Sequence, residues 1–299
     1  MSPEYLLSQR NIDLSGVDFR KSQHALSKDE RAVEAVVLDQ MERYQELEEL
    51  IPGSEQPWVA LNEDAFSIDK IEDAEKAAEM LRKLWSLGMD PLPMMAELLE
   101  EKGIKVIALN LPESVSRSKA MVQRPDLPEL PVIVVNHKHN GERQRFTLAH
   151  ELAHLVLKCS GLNNAEQERA ADRFAGTFLM AKEMMLNLLE AHRTSISLGE
   201  LAELKKIFKF SIASLVVLCS QLGIISKATY GKLWSQIKGL GWHGPQSSEP
   251  FTFSAEVPQR MERLCLRAVS ERVISEPKAA ELLRISVREL DKRMMGQFA

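Results

Sequence analysis

The residues best suited to chemistry in this chain are His150-Glu151-Leu152-Ala153-His154, inside the run from Arg145 to Leu157. At about 3.6 residues per turn, histidines four apart lie one above the other on one helix face. Two imidazoles so placed can reach a single zinc ion at about 2.1 Å. Glu151 is offset around the helix beside the first histidine, where it can hold and deprotonate a water on that ion. Neither Gly nor Pro interrupts the run, and Phe146, Leu152, Leu155 and Val156 give it apolar surface. The expected element is a buried helix with a polar notch. A helix with two satisfied histidines would share this pentapeptide, so context has to decide.

The next segment supplies that context. Ala165 to Ala175 has helical spacing, with Ala171, Phe174, Ala175 and Phe178 as its apolar stripe. Glu168 and Asp172 are four apart and share a face. A zinc peptidase site needs three protein ligands and an open position. A ligating imidazole usually donates its other nitrogen to a carboxylate. This helix offers one carboxylate for each role. Glu168 fits the third ligand by spacing, with Glu166 or Asp172 in its place if the helix is rotated.

Taken together, Arg145-Phe-Thr-Leu-Ala-His150-Glu-Leu-Ala-His154, Glu168-x-x-Ala-Asp172-x-Phe-Ala and Phe178-Leu-Met-Ala resemble the ImmA/IrrE family of zinc metallopeptidases. Members of that family cleave helix-turn-helix repressors of the Xre type and so switch on genes. The resemblance implies Zn2+ on His150, His154 and Glu168, Glu151 as general base, and Asp172 orienting a ligand histidine. It implies an α+β, mainly helical fold: a zincin-like core with a small sheet of about three strands beside the motif helix, plus helical N- and C-terminal extensions. The family usually closes the second motif with Leu-Met-Pro, where this chain has Leu179-Met180-Ala181; that should loosen a turn without touching chemistry. Longer relatives carry an N-terminal helix-turn-helix domain; the family layout implies that this chain lacks it and that the repressor is a separate polypeptide.

With 299 residues and 44% hydrophobic content, the chain can bury a proper core and hold more than one domain. Cys159, Cys219 and Cys265 are far apart and odd in number, and read as reduced core thiols of a cytoplasmic protein. The start is no signal peptide, and no apolar run reaches the ~20 residues of a membrane span. Residues 28–79 carry 16 Asp and Glu against 5 Lys and Arg, a local net of −11. That segment is a solvated helical surface or a docking face for a basic partner such as a repressor.

In chain order, an irregular start ends at Arg20, and Ser27-x-x-Glu30 reads as a capping box opening a helix to about Leu50. A second helix is expected over Ile71 to Leu87, and a third opened by Asp90-Pro91 and running to Gly103. Then the period changes: Ile104–Leu109, Lys119–Val122 and Val132–Val135 read as strands. A peptidase can bind substrate as an added strand on a sheet edge, which would fall in 115–136. His137 and His139 follow as turn histidines, or as an imidazole that stabilises the oxyanion; Tyr230 is another conceivable donor.

Helices are expected over 182–192, 198–209 and 211–222. The last pair has a helix-turn-helix outline, but Ser211 to Leu222 contains no Lys or Arg, so it is packed rather than DNA-reading. Gly239 to Pro250 is rich in Gly, Pro and Ser and reads as a linker. Helices follow over 258–273, 277–283 and 286–295, where Glu281, Glu289 and Asp291 offset Arg284, Arg288, Lys292 and Arg293. A protein-contact or homo-oligomerising appendage fits better there than a DNA reader. The expected domains are an acidic helical segment (1–66), a metallopeptidase domain (67–240), a linker (241–250) and an appendage (251–299). The rival to an enzyme is a zinc-binding interaction protein in a toxin–antitoxin or repressor complex.

Overall fold

Helices dominate the computed structural model, which describes residues 13–18, 28–111, 117–124, 127–244 and 247–297. The architecture is mainly helical α+β, a metallopeptidase fold as expected. The chain forms two compact units, one from residues 1–59, 97–134 and 257–299, the other from 60–96 and 135–256.

The first unit holds a four-stranded sheet in the order β1-β4-β5-β3, with β1 Asp13–Asp18, β3 Lys105–Leu109, β4 Arg117–Arg124 and β5 Leu127–Asn136. The three expected strands are all present. The fourth, β1, lies where an irregular start was expected; it pairs antiparallel with β4, with a register shift between Ser15 and Asp18. Asp-Leu-Ser-Gly-Val-Asp has no sustained alternation, so its strand character comes from pairing with β4. That pairing also corrects the proposed substrate edge. β4 and β5 are hydrogen-bonded on both sides, and among the described residues the edge strands are β1 and β3.

The helix Lys28–Leu50 presents two apolar rows in succession. Val33, Val37 and Met41 pack with Ile107, Val132 and Val134 of the sheet. Further along, Tyr44, Leu47 and Ile51 pack with Leu264, Cys265, Ala279, Leu282 and Leu290 of the C-terminal helices Arg260–Ser270, Glu276–Leu283 and Val287–Met294. Three acidic residues of this helix are paired inside the unit. Glu48 pairs with Lys105 at 2.5 Å, Glu46 with Lys278 at 2.7 Å, and Asp39 with Arg43 and Arg284. Ser27 of the expected capping box lies outside the described residues.

In the second unit, the motif helix Gly141–Val156 packs on the helix Asn164–Leu179, which packs in turn on Asp73–Leu84. Ala171, Phe174, Ala175 and Phe178 are fully buried, as their spacing predicts. Phe178 stacks on Phe174 at 5.6 Å and meets Trp85 edge-on at 5.8 Å. A parallel pair, β2 Ser67–Ile68 with β6 Lys158–Cys159, ties down the chain leaving the motif helix. Ala181 caps the helix Lys182–Leu189 at φ −59°, a backbone that proline also adopts, so the turn keeps its form without the ring.

The helices Leu198–Phe208, Ile212–Gln221 and Lys227–Gly239 complete the unit. Ile212, Leu215, Val216, Leu218 and Cys219 are buried, so the helix-turn-helix outline is a packed pair. One expected helix start is corrected: Asp90-Pro91 opens nothing, and the helix begins at Met95. The carbonyls of Leu92 and Pro93 are instead held by the Arg145 guanidinium, and Glu256 accepts from the N–H of Ala96 at 3.0 Å. The three cysteines are free, and burial pushes the Cys219 and Cys265 thiols up to about 12. No helix among the described residues is long and apolar enough to cross a membrane.

Candidate metal centre

Two capped helices position the site. Asn140 caps the motif helix by accepting from the N–H of Arg143, and the helix runs unbroken to Val156. Asn163 and Glu166 form a reciprocal capping box at the start of the second helix. The Glu166 carboxylate accepts from the N–H of Asn163 at 2.9 Å, which commits it to the cap. That leaves Glu168 and Asp172 to face the histidines.

The side chains converge on one point. His150 Nε2 and His154 Nε2 are 3.0 Å apart. The Glu168 carboxylate lies 3.4 Å from His150 Nε2 and 3.7 Å from His154 Nε2. The three groups offer ligand atoms all within 4.8 Å of one another. On a tetrahedral zinc ion with bonds of about 2.1 Å, ligand atoms are separated by roughly 3.4 Å. The spacing here is that of a metal cradle.

The proton on His150 can be placed. Its Nδ1 is 2.7 Å from Asp172 Oδ1, and a carboxylate at neutral pH only accepts. Nδ1 therefore carries a hydrogen in this contact, and in the neutral imidazole Nε2 is the nitrogen left to bind a metal. Two imidazole nitrogens and a carboxylate, all acceptor-rich, make a donor set that fits a divalent cation. Glu151, next in sequence to His150, is 1% exposed.

The motif helix is fixed from its other side by buried charge. Arg145 is 1% exposed and pairs with Glu256 at 2.8 Å. Gln144 accepts from the N–H of Glu256 at 2.7 Å. Lys205 pairs with both Glu142, in the first turn of the motif helix, and Glu249, each at 2.8 Å. Glu249 also accepts from the N–H groups of Ile212 and Ala213, at the start of a helix where its charge is favourable. Residues of the Gly/Pro/Ser-rich stretch and beyond thus clamp the helix that carries the histidines. Gly141 is required there, because a Cβ would collide with the carbonyls of Phe253 and Ser254.

Sequence reasoning did not assign these anchors. The one local signal was an arginine, Arg145, on a face otherwise destined for the core. His137 is exposed in the turn after β5, and Tyr230 stacks on Trp234 at 5.7 Å. Burial, and then the charge of Arg143, push His139 below the usual histidine range.

A mainly helical α+β fold, with two histidines and a glutamate grouped on packed helices, is the framework of a metallopeptidase. Residues 99–219 match the family model described as the IrrE N-terminal-like domain, a peptidase family, and this match supports the ImmA/IrrE resemblance that the motifs indicated. No curated protein and no solved structure matches the chain.

Proposed function

We propose that the protein is a zinc-dependent endopeptidase whose substrate is a protein, an Xre-type helix-turn-helix repressor. The observation that carries the catalytic reading is the convergence of His150 Nε2, His154 Nε2 and the Glu168 carboxylate, with His150 Nδ1 committed to Asp172. In this reading His150, His154 and Glu168 hold the metal. Bound there, zinc would supply Lewis acidity that polarises the scissile carbonyl and acidifies water. Glu151 takes the proton of the attacking water and passes it to the leaving amine. Asp172 keeps His150 in the tautomer that turns Nε2 inward. The repressor is proposed from the family relationship, since members act on such proteins.

The test combines metal analysis with cleavage. Purified protein supplied with zinc should carry about one ion per chain, and Glu168→Ala should lose most of it. Glu151→Gln should keep the metal while cleavage of a co-expressed repressor, read by intact-mass spectrometry, falls about a hundred- to ten-thousand-fold. Wild-type protein that takes up no zinc would sink the reading. If Glu151→Gln cleaves as fast as wild type, a different group is the base. A repressor that is bound but never cut would favour the interaction-protein alternative.

A further inference from the structure

Beside Asp172, the partner of His150, a groove of about 200 Å³ opens in the second unit. Its walls include Phe146 of the motif helix, Asp172 of the second helix, then Phe210, Ala213, Val217 and Trp234. Two of these connect it directly to the metal centre. Asp172 is the carboxylate bonded to His150 Nδ1. Phe146 lies one turn before His150, with ring centroids 6.3 Å apart, and its other neighbour is the Phe210 ring at 5.9 Å. Trp234 is steadied by Tyr230 stacked on it.

The size and chemistry of the groove define its occupant. Pockets for drug-sized ligands run to about 300–1,000 Å³; this one suits a single large side chain. Asp172 is its one charged wall, with Oδ1 engaged by His150; Ser214 and Gln221 add neutral polar groups, and the remaining walls are apolar or glycine. Along an extended peptide, neighbouring residues are only about 3.3 Å apart, so a residue flanking a bond held at the metal centre is within reach.

We infer that this groove receives a bulky apolar side chain of the substrate, next to the bond that is cut, and so sets sequence preference. The inference rests on the metallopeptidase reading. Burying a leucine-sized side chain should strengthen binding about ten- to a hundred-fold over glycine.

Three dipeptide hydroxamates that differ only at the residue flanking the hydroxamate (leucine, lysine or glycine) provide the probe. They are titrated calorimetrically into the zinc-loaded full chain and into Ala213→Trp and Val217→Trp, two fillings of the same groove, so that misfolding of one leaves the other. The leucine compound should bind wild type about ten- to a hundred-fold tighter than the glycine compound. Each tryptophan variant should bring that ratio close to one, with zinc content unchanged. Equal binding of leucine and glycine compounds in wild type, tightest binding of the lysine compound, or a ratio untouched by both variants would overturn the inference and leave the metal centre standing. Failure of all three compounds alike, or of zinc uptake, brings down the metal-centre reading and this inference with it.

Discussion

Asp172 shows how much a single side chain can decide without being a proposed ligand. Its oxygen fixes the hydrogen on His150 Nδ1 and so presents Nε2 to the metal position. Removing that partner should weaken zinc affinity about 10- to 100-fold in Asp172→Ala. Asp172→Asn, which keeps an acceptor oxygen but loses the charge, should fall between. Competition against a chromogenic chelator measures both; an alanine variant that holds zinc as tightly as wild type would show that Asp172 does not set the tautomer. At this scale the sequence was informative where spacing is local. Four residues put His150 and His154 on one face wherever a helix forms. The third carboxylate was ambiguous, because Glu166, Glu168 and Asp172 all fall within two turns. What separates them is the helix start, where Asn163 takes Glu166 into its capping box.

The elements were legible where an apolar period carried them and not where a distant partner did. The second site helix buries the whole stripe its spacing marked, and the motif helix buries Leu152 and Val156 but leaves Phe146 and Leu155 half-buried; β1, by contrast, exists through β4, and the helix start at Met95 answers to Arg145 and Glu256. Periodicity carries no record of such long-range pairings. Arg145 joins the motif helix to Leu92, Pro93 and Glu256, all within one unit. Arg145→Met should therefore leave Glu256 buried without its cation, at a cost of about 3–5 kcal/mol. Adding Glu256→Gln should recover part of that loss, since the second change removes the stranded charge. Urea unfolding of the single and double variants measures the coupling; additive losses would mean that Arg145 acts through packing alone.

Across the whole molecule, the chain returns late in its sequence to structures laid down early, and Glu100 marks one such meeting in the first unit. It is 1% exposed, accepts from the Tyr44 hydroxyl at 3.3 Å and from the N–H of Arg260 at 3.3 Å. Burial pushes its carboxyl up to about 7, only partly opposed by the hydrogen bond from Arg260 and the charge of Lys105. A raised carboxyl means that the folded chain holds this proton more tightly than the unfolded chain, whose value stays near 4.5. Stability contributed here is complete below about pH 4.5, declines as pH rises through 7, and is level above that. Glu100→Gln, which keeps an acceptor but cannot ionise, should remove that decline. Relative to wild type it should gain on the order of 1–3 kcal/mol between pH 5 and pH 8. Urea midpoints for both proteins at the two pH values make the comparison, because other carboxylates contribute equally to each and cancel in the difference. A variant that tracks wild type across the range would mean that Glu100 ionises inside the fold at its ordinary value, with Arg260 and Lys105 fully compensating its burial.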